Sequence, residues 1–203
     1  MRRVVFLILL ALALPIAAWA DGITLTNQFG TVSVSTGGIS SIGSQLHSYN
    51  SVVAAPGHSL GTVSFTTGAF NTGSGTLLSG GTFSSVGSTF SVMGKGNWAQ
   101  GHNTAIFTGS FAGDISWTLT NVSGQLRTYT LSGAISGMSG GRTVTGTTTQ
   151  TIYVLNNKQF GQGIGHIHAG STNLNVPEPG TLGLLGTGLV GIAGMFRRKL
   201  IGG

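Results

Sequence analysis

Apolar and polar residues alternate along most of the central part of the chain. Ile115, Trp117 and Leu119 are each followed by a serine or a threonine, so that every second side chain is apolar. The same period of two recurs at Val32 and Val34, Val63 and Phe65, Phe90 and Val92, Tyr129, Leu131 and Ile135, and Ile152 and Val154. This period, carried by β-branched and aromatic residues, predicts strands with one buried face.

Glycine pairs separate many of these stretches and predict turns. They occur at 37–38, 80–81 and 140–141, and residues 71–73 have the turn sequence Asn-Thr-Gly. No helical periodicity is present between residues 21 and 176. Short strands joined by frequent turns predict an all-β fold, an antiparallel β-sandwich or barrel. A β-solenoid is the alternative, although the chain has no fixed repeat period.

The first twenty residues have the organisation of a secretory signal peptide. Arg2 and Arg3 form a basic start, and residues 4–18 are almost wholly apolar. The small residues Ala18 and Ala20 fit a cleavage site before the central domain. We therefore predict that the chain is exported, with a retained N-terminal anchor as the alternative.

The C-terminal tail contains a Pro-Glu-Pro motif, an uncharged stretch and a basic end, in that order. These parts are Pro177, Glu178 and Pro179, then residues 181–196, then Arg197, Arg198 and Lys199. The two prolines fix φ and keep the motif extended. The uncharged stretch would form a helix roughly 24 Å long, against a hydrocarbon core of ~30 Å. We predict a transmembrane helix whose basic end lies at the cytoplasmic surface.

This tail resembles the PEP-CTERM sorting signal of Gram-negative bacteria, in which Pro177, Glu178 and Pro179 would be the motif that gives the signal its name. The resemblance implies that exosortase, a membrane-embedded transpeptidase-like protease, recognises the tail and removes the anchor. It also implies a protein that is held in the inner membrane first and reaches the cell surface or extracellular matrix after processing. A proline-containing linker before an ordinary anchor is the alternative.

The sequence therefore divides into four predicted segments. They are a signal peptide at 1–20, a secreted β-domain at 21–170, a linker at 171–176, and a sorting tail at 177–200 with its transmembrane helix at 181–196.

Little charge remains outside the targeting segments. The whole chain has a net charge of +6, but residues 21–176 contain four basic and two acidic residues, which gives +2. No basic patch for nucleic acid remains in this domain. The chain contains no cysteine, which excludes disulfides and thiolate metal sites.

The central domain is poor in the acidic residues that hydrolytic enzymes use. Glycosidases usually need two positioned carboxylates, and only Asp21 and Asp114 are available. Ser139 lies in a Gly-x-Ser-x-Gly sequence, but no acidic residue lies between it and Glu178 to complete a catalytic triad. We predict that the protein is not an enzyme and has no cofactor.

His166 and His168 form the best candidate pair for a metal ion. In an extended strand they would point to the same face and could chelate one ion. The domain offers them no glutamate, and its other histidines are distant in sequence. A metal-dependent enzyme is therefore only the third function hypothesis, and two polar side chains on a late edge strand are the simpler interpretation.

Two features predict contact with glycans. Trp98 follows a Gly-Lys-Gly-Asn sequence, and an aromatic ring on such a loop can stack on a sugar. A row of threonines occupies every second position at Thr143, Thr145, Thr147, Thr149 and Thr151. A flat threonine row could order water, bind ice or lie against polysaccharide. The alternative is a solvated strand face, with Val144 and Ile152 turned inward.

The main hypothesis is an exported, exosortase-processed protein of the cell surface or exopolysaccharide matrix with a structural or interaction role. A carbohydrate-binding module is the first alternative. The predicted partners are exosortase, the membrane before processing, and extracellular polysaccharide.

Overall fold

The computed structural model describes residues 22–96, 104–155 and 163–176. These residues form thirteen strands, and among them there is no helix. The strands are β1 (Gly22–Gln28), β2 (Thr31–Ser35), β3 (Gly38–Tyr49), β4 (Val52–Val53), β5 (Gly61–Thr66), β6 (Phe70–Thr76), β7 (Gly80–Phe83), β8 (Thr89–Gly94), β9 (Thr104–Phe111), β10 (Ile115–Ser123), β11 (Leu126–Ser139), β12 (Arg142–Leu155) and β13 (Gly163–Asn175). The all-β prediction is confirmed.

Eight strand positions close into an antiparallel barrel. Going round it, the strands are β3, β5, β8, β9, β11, β12 and β13, and then one position that β1 and β2 share. Both β1 and β2 pair with β13 on one side and with β3 on the other. They therefore act as one strand interrupted at Phe29 and Gly30. Of the two predicted architectures, the protein adopts the barrel.

A three-stranded extension leaves the barrel at β11. The first half of β11 pairs with β10 and its second half pairs with β9, so β9 and β10 share one edge of β11. From β10 the sheet continues through β7 to β6, while β9 continues round the barrel to β8. The chain crosses between the two at residues 112–114, where Ala112 N–H donates to the Ala134 carbonyl at 2.9 Å.

Aromatic rings fill much of the core. Phe65, Phe90, Phe107 and Phe111 pack against one another, with three of their four close pairs edge to face. A second group joins the barrel to the extension and consists of Phe70, Phe83, Trp117 and Tyr129.

Burial raises the pKa of the Tyr129 hydroxyl, and the nearby Arg127 charge opposes that rise.

The middle of the barrel also contains a buried polar network around Asn27 and Gln150. Asn27 Nδ2 donates to Gln150 Oε1 at 2.8 Å, and Gln150 Nε2 donates back to Asn27 Oδ1 at 3.2 Å. The second N–H of each amide donates to a buried hydroxyl, that of Ser44 for Asn27 and that of Thr148 for Gln150. The network ties β1 to β12 across β13, where the opposing residue is Gly170.

The alternating pattern predicted from sequence is confirmed. Ile115 and Trp117 are buried, Leu119 packs against the core, and Thr118 is exposed. Tyr129 is also buried, on the neighbouring strand.

Two groups of local predictions are wrong. The predicted linker at 171–176 belongs to β13 as far as Asn175, because residues 171–175 all pair with β12 and Thr172 and Leu174 are buried. The turns predicted at 71–73 and 80–81 lie within β6 and β7, and the reversal between these strands is at residues 77–79. Gly80 is needed as a strand residue because a Cβ there would meet the Trp117 carbonyl at 2.7 Å. The turns at 37–38 and 140–141 are confirmed in position, with Gly38 itself the first residue of β3.

Candidate binding face

The threonine row lies on the outer surface of β12. Thr143, Thr145, Thr147 and Thr149 are exposed, and Thr151 is partly exposed. The residues between them are buried, including Val144 and Ile152, as the solvated-face interpretation predicts. The row is therefore an accessible line of hydroxyl and methyl groups along one strand.

Neighbouring strands extend this row sideways. One line of paired residues crosses six strands from β10 to β3, and each of its members carries a hydroxyl. In order, they are Ser116, Ser132, Thr149, Ser171, Thr26 and Ser48. Strands lie ~4.8 Å apart and same-face residues ~6.7 Å apart along a strand, so this line and the threonine row, which cross at Thr149, form a regularly spaced array of hydroxyls. We call this array, together with the threonine row, the hydroxyl face.

A shallow groove of about 360 Å³ lies within the hydroxyl face. Its lining residues are Thr26, Asn27, Gln28, His47, Thr149, Thr151, Ala169, Gly170 and Ser171. β13 contributes small residues to the lining, β12 contributes threonines, and β1 and β3 contribute polar residues. None of these nine residues is an aspartate, glutamate, lysine or arginine. Gln28 Nε2 lies 3.2 Å from His47 Nδ1.

The two candidate metal ligands flank buried Ile167 on β13. His166 and His168 are both exposed, on either side of it. The pairing of β12 with β13 shifts register beside His168, whose ring stacks on that of Tyr153 with the centroids 4.4 Å apart. Among residues 22–96, 104–155 and 163–176, no group of three His, Cys, Asp or Glu side chains comes together to hold a metal ion.

The remaining candidates from the sequence fall into two classes. Ser139 ends β11 at a two-residue hairpin turn, Gly140 and Gly141, which both have positive φ. Such a turn is typical of tight hairpins and is not the strand-to-helix elbow of a serine hydrolase. Outside the described residues lie Trp98, the cleavage-site residues Ala18 and Ala20, the motif Pro177, Glu178 and Pro179, and the basic residues Arg197, Arg198 and Lys199.

Comparison with known families identifies the tail. Residues 175–199 match the PEP-CTERM protein-sorting motif. The tail is thus similar to the PEP-CTERM sorting signal. The match begins at Asn175, the last residue of β13, so the signal follows the barrel in sequence without an intervening linker. No curated protein and no solved structure matches the chain.

The PEP-CTERM signal supports export and processing by exosortase at the membrane. The described parts of the chain contain no helix that is long and apolar enough to cross a membrane. The predicted helix at 181–196 lies outside them.

Sequence reasoning found the threonine row but missed the rest of the hydroxyl face. Its other members, such as Ser132 and Ser171, come from strands far apart in the sequence and meet only through strand pairing. The groove was missed for the same reason. The one available signal was the pair of small residues Ala169 and Gly170 next to the polar stretch after His168.

Proposed function

We propose that this exported, exosortase-processed protein has a structural or interaction role at the cell surface or in the exopolysaccharide matrix. The observation that carries the proposal is the combination of the sorting signal with a barrel whose hydroxyl face is accessible. The sorting signal supports delivery, and the hydroxyl face supplies a surface suited to a neutral polymer.

The chemistry of the hydroxyl face favours polysaccharide over protein or lipid. Each serine or threonine hydroxyl can donate one hydrogen bond and accept two, as sugar hydroxyls can. Single exposed hydrogen bonds contribute little, but a repeating polymer can engage many positions of a regular array at once. Such multivalent binding suits a matrix component that must be retained without a tight individual site.

A carbohydrate-binding module with one defined site is the second candidate. The groove around Ala169 favours it, because a discrete ligand requires a concave site, mostly apolar, with a few polar side chains that orient the ligand. The two candidates differ in the binding isotherm: a module binds a short oligosaccharide saturably, whereas the hydroxyl face alone binds only long polymers.

Replacing Glu178 with alanine is expected to block or alter processing of the tail without unfolding the barrel. Glu178 lies between two prolines that keep the motif extended, so its side chain is the one charged group that a protease can recognise there. The C-terminal mass of the protein recovered from the producing cells measures this effect. Identical masses for wild-type and Glu178→Ala protein would contradict the assignment to exosortase.

Replacing Thr145 and Thr147 together with valine is expected to reduce retention on extracted matrix polysaccharide, because valine keeps the shape and the β-propensity but removes the hydroxyl. Both residues are exposed, so the free energy of unfolding should change by less than about 0.5 kcal/mol. The matched control is the Thr145→Ser, Thr147→Ser protein, which keeps both hydroxyls. Equal retention of the valine and serine variants in a co-sedimentation assay would rule out the hydroxyls as the contact.

A further inference from the structure

The interruption between β1 and β2 lies beside the groove. The Gly30 carbonyl accepts a hydrogen bond from Ile167 N–H at 3.3 Å, and Asn27 pairs with Gly170. The interruption therefore faces the part of β13 that contains Ala169, one of the residues that line the groove. Gln28, the residue immediately before the interruption, lines the groove itself.

Phe29, in this interruption, combines a costly backbone with an exposed ring. Its φ is 63°, a left-handed value that is uncommon for bulky side chains. The backbone strain of this conformation is comparable in size to the free energy that burial of an apolar side chain contributes. Its side chain is nevertheless 58% exposed, so burial does not offset that cost. Glycine would adopt the same φ without penalty. A strained aromatic residue that contributes little to the core is an indication of function.

Gln28 and His47 supply directional hydrogen bonding in the groove, beside the interruption. The β1–β3 pairing shifts register between Thr26 and Asn27, and the shift leaves His47 as an extra residue on β3. With Gln28 Nε2 donating to His47 Nδ1, the proton of the neutral imidazole lies on Nε2. The pair then offers a ligand one acceptor, Gln28 Oε1, and one donor, His47 Nε2–H.

We propose that the groove binds one ring of a neutral hexose polymer, with Phe29 stacking on the sugar at its edge and with Gln28 and His47 bonding the sugar hydroxyls. A pyranose ring has an apolar C–H face for an aromatic ring and a rim of hydroxyls for an amide and an imidazole. An acidic polymer would find no lysine or arginine among the lining residues to compensate for the solvation that its carboxylates lose.

This inference rests on the proposed polysaccharide role and assigns the binding of the polysaccharide to the groove. The rest of the hydroxyl face, outside the groove, would contact the following sugars of the same chain. The groove thus sets where a polymer is anchored, and the array sets how long a stretch of it is held.

Titration calorimetry of the full chain tests the proposal. The chain is kept in a polyoxyethylene detergent, because a detergent with a sugar head group would compete for the groove. The probes are neutral hexaoses of glucose, mannose and galactose, with hexagalacturonate as the acidic counterpart. We expect saturable one-to-one binding of at least one neutral hexaose, and binding about tenfold weaker in Gln28→Ala or His47→Ala. Failure of all three neutral hexaoses, or tighter binding of hexagalacturonate, would overturn the proposal.

The Phe29→Gly variant separates binding from folding. Glycine relieves the left-handed φ, so the melting temperature should stay the same or rise, while hexaose affinity falls about tenfold. Val86→Ala is the control, because Val86 is an exposed apolar residue in the turn between β7 and β8, outside the hydroxyl face, and its replacement should leave hexaose affinity unchanged. If the Phe29→Gly protein binds the hexaose as tightly as the unchanged protein, Phe29 does not stack on the sugar.

The two proposals fail in different ways. If no hexaose binds but the protein is still retained on matrix polysaccharide, the groove assignment is wrong and the proposed function stands. If a hexaose binds but the exported protein is not retained, the matrix role is wrong and the groove assignment stands. If no hexaose binds and Phe29→Gly converts a sedimenting dimer to monomer, the occupant of the groove is a second copy of the chain, and the glycan assignment is wrong.

Discussion

Replacing Trp117 with alanine is expected to lower the free energy of unfolding by about 3–5 kcal/mol. The Trp117 side chain is 1% exposed and stacks on Tyr129 with ring centroids 4.3 Å apart and planes 5° from parallel. Its Nε1–H donates to the Leu77 carbonyl at 2.9 Å, in the turn between β6 and β7. Alanine removes the ring from the junction between barrel and extension and takes the hydrogen-bond donor from that carbonyl.

The stability lost in Trp117→Ala is a large fraction of the whole, because a domain of this size has a free energy of unfolding of about 5–15 kcal/mol. Urea denaturation followed by far-ultraviolet circular dichroism measures it without relying on the fluorescence of the residue that is removed. Thr118→Ala is the matched control: Thr118 is the next residue on β10 and is exposed, so its replacement should cost well under ~1 kcal/mol. Equal losses in the two variants would mean that the inner and outer faces of β10 are assigned wrongly.

The contrast between Trp117 and Thr118 was visible in the sequence, because a period of two on a strand fixes which side chains share a face. The threonine row on β12 was predicted for the same reason, and the structure places it outward as the pattern requires. The sorting signal was also accessible from sequence, since Pro177, Glu178 and Pro179 form a local motif that no distant contact defines. Features that lie within a single strand or a single local motif could therefore be predicted from the sequence.

Closure of the barrel could not be recovered in this way. It depends on pairings such as that of Asn27 with Gly170, which join opposite ends of the domain. The sharing of one barrel position by β1 and β2 depends on the interruption at Phe29, and nothing in the local pattern distinguishes it from an ordinary turn. The choice between sandwich and barrel therefore stayed open.

Inward polar residues explain the error at β13. Thr172 is 1% exposed, and its hydroxyl lies 2.9 Å from that of Thr148 on β12. Gln150 is fully buried in the same network. A search for apolar residues at every second position passes over such side chains, because it treats a buried threonine or glutamine as solvent-facing. The segment at 171–176 consequently lacked a strand pattern and was predicted to be a linker.

Replacing Gly170 with alanine is expected to lower the free energy of unfolding by about 3 kcal/mol, from overpacking and from lost buried hydrogen bonds. Gly170 lies between Asn27 on β1 and Gln150 on β12, and the amides of these two side chains meet over it. A Cβ at this position would lie well inside contact distance of both amide oxygens. Both amides would have to move, and at least one would lose its partner in the interior of the barrel.

A double-mutant comparison distinguishes this mechanism from a general intolerance of alanine in β13. In a background with Asn27→Ala and Gln150→Ala, the side-chain atoms nearest to the new Cβ are absent, so adding Gly170→Ala should cost less than ~1 kcal/mol more. Denaturant melts of the four proteins give the coupling energy directly. A cost for Gly170→Ala that is the same in both backgrounds would show that the backbone of β13, and not the amide pair above it, requires glycine. If the cost disappears in the altered background, the Asn27–Gln150 pair is the reason that residue 170 must be glycine. The same polar network then determines the positions of β1 and β12 on either side of β13, beneath the groove.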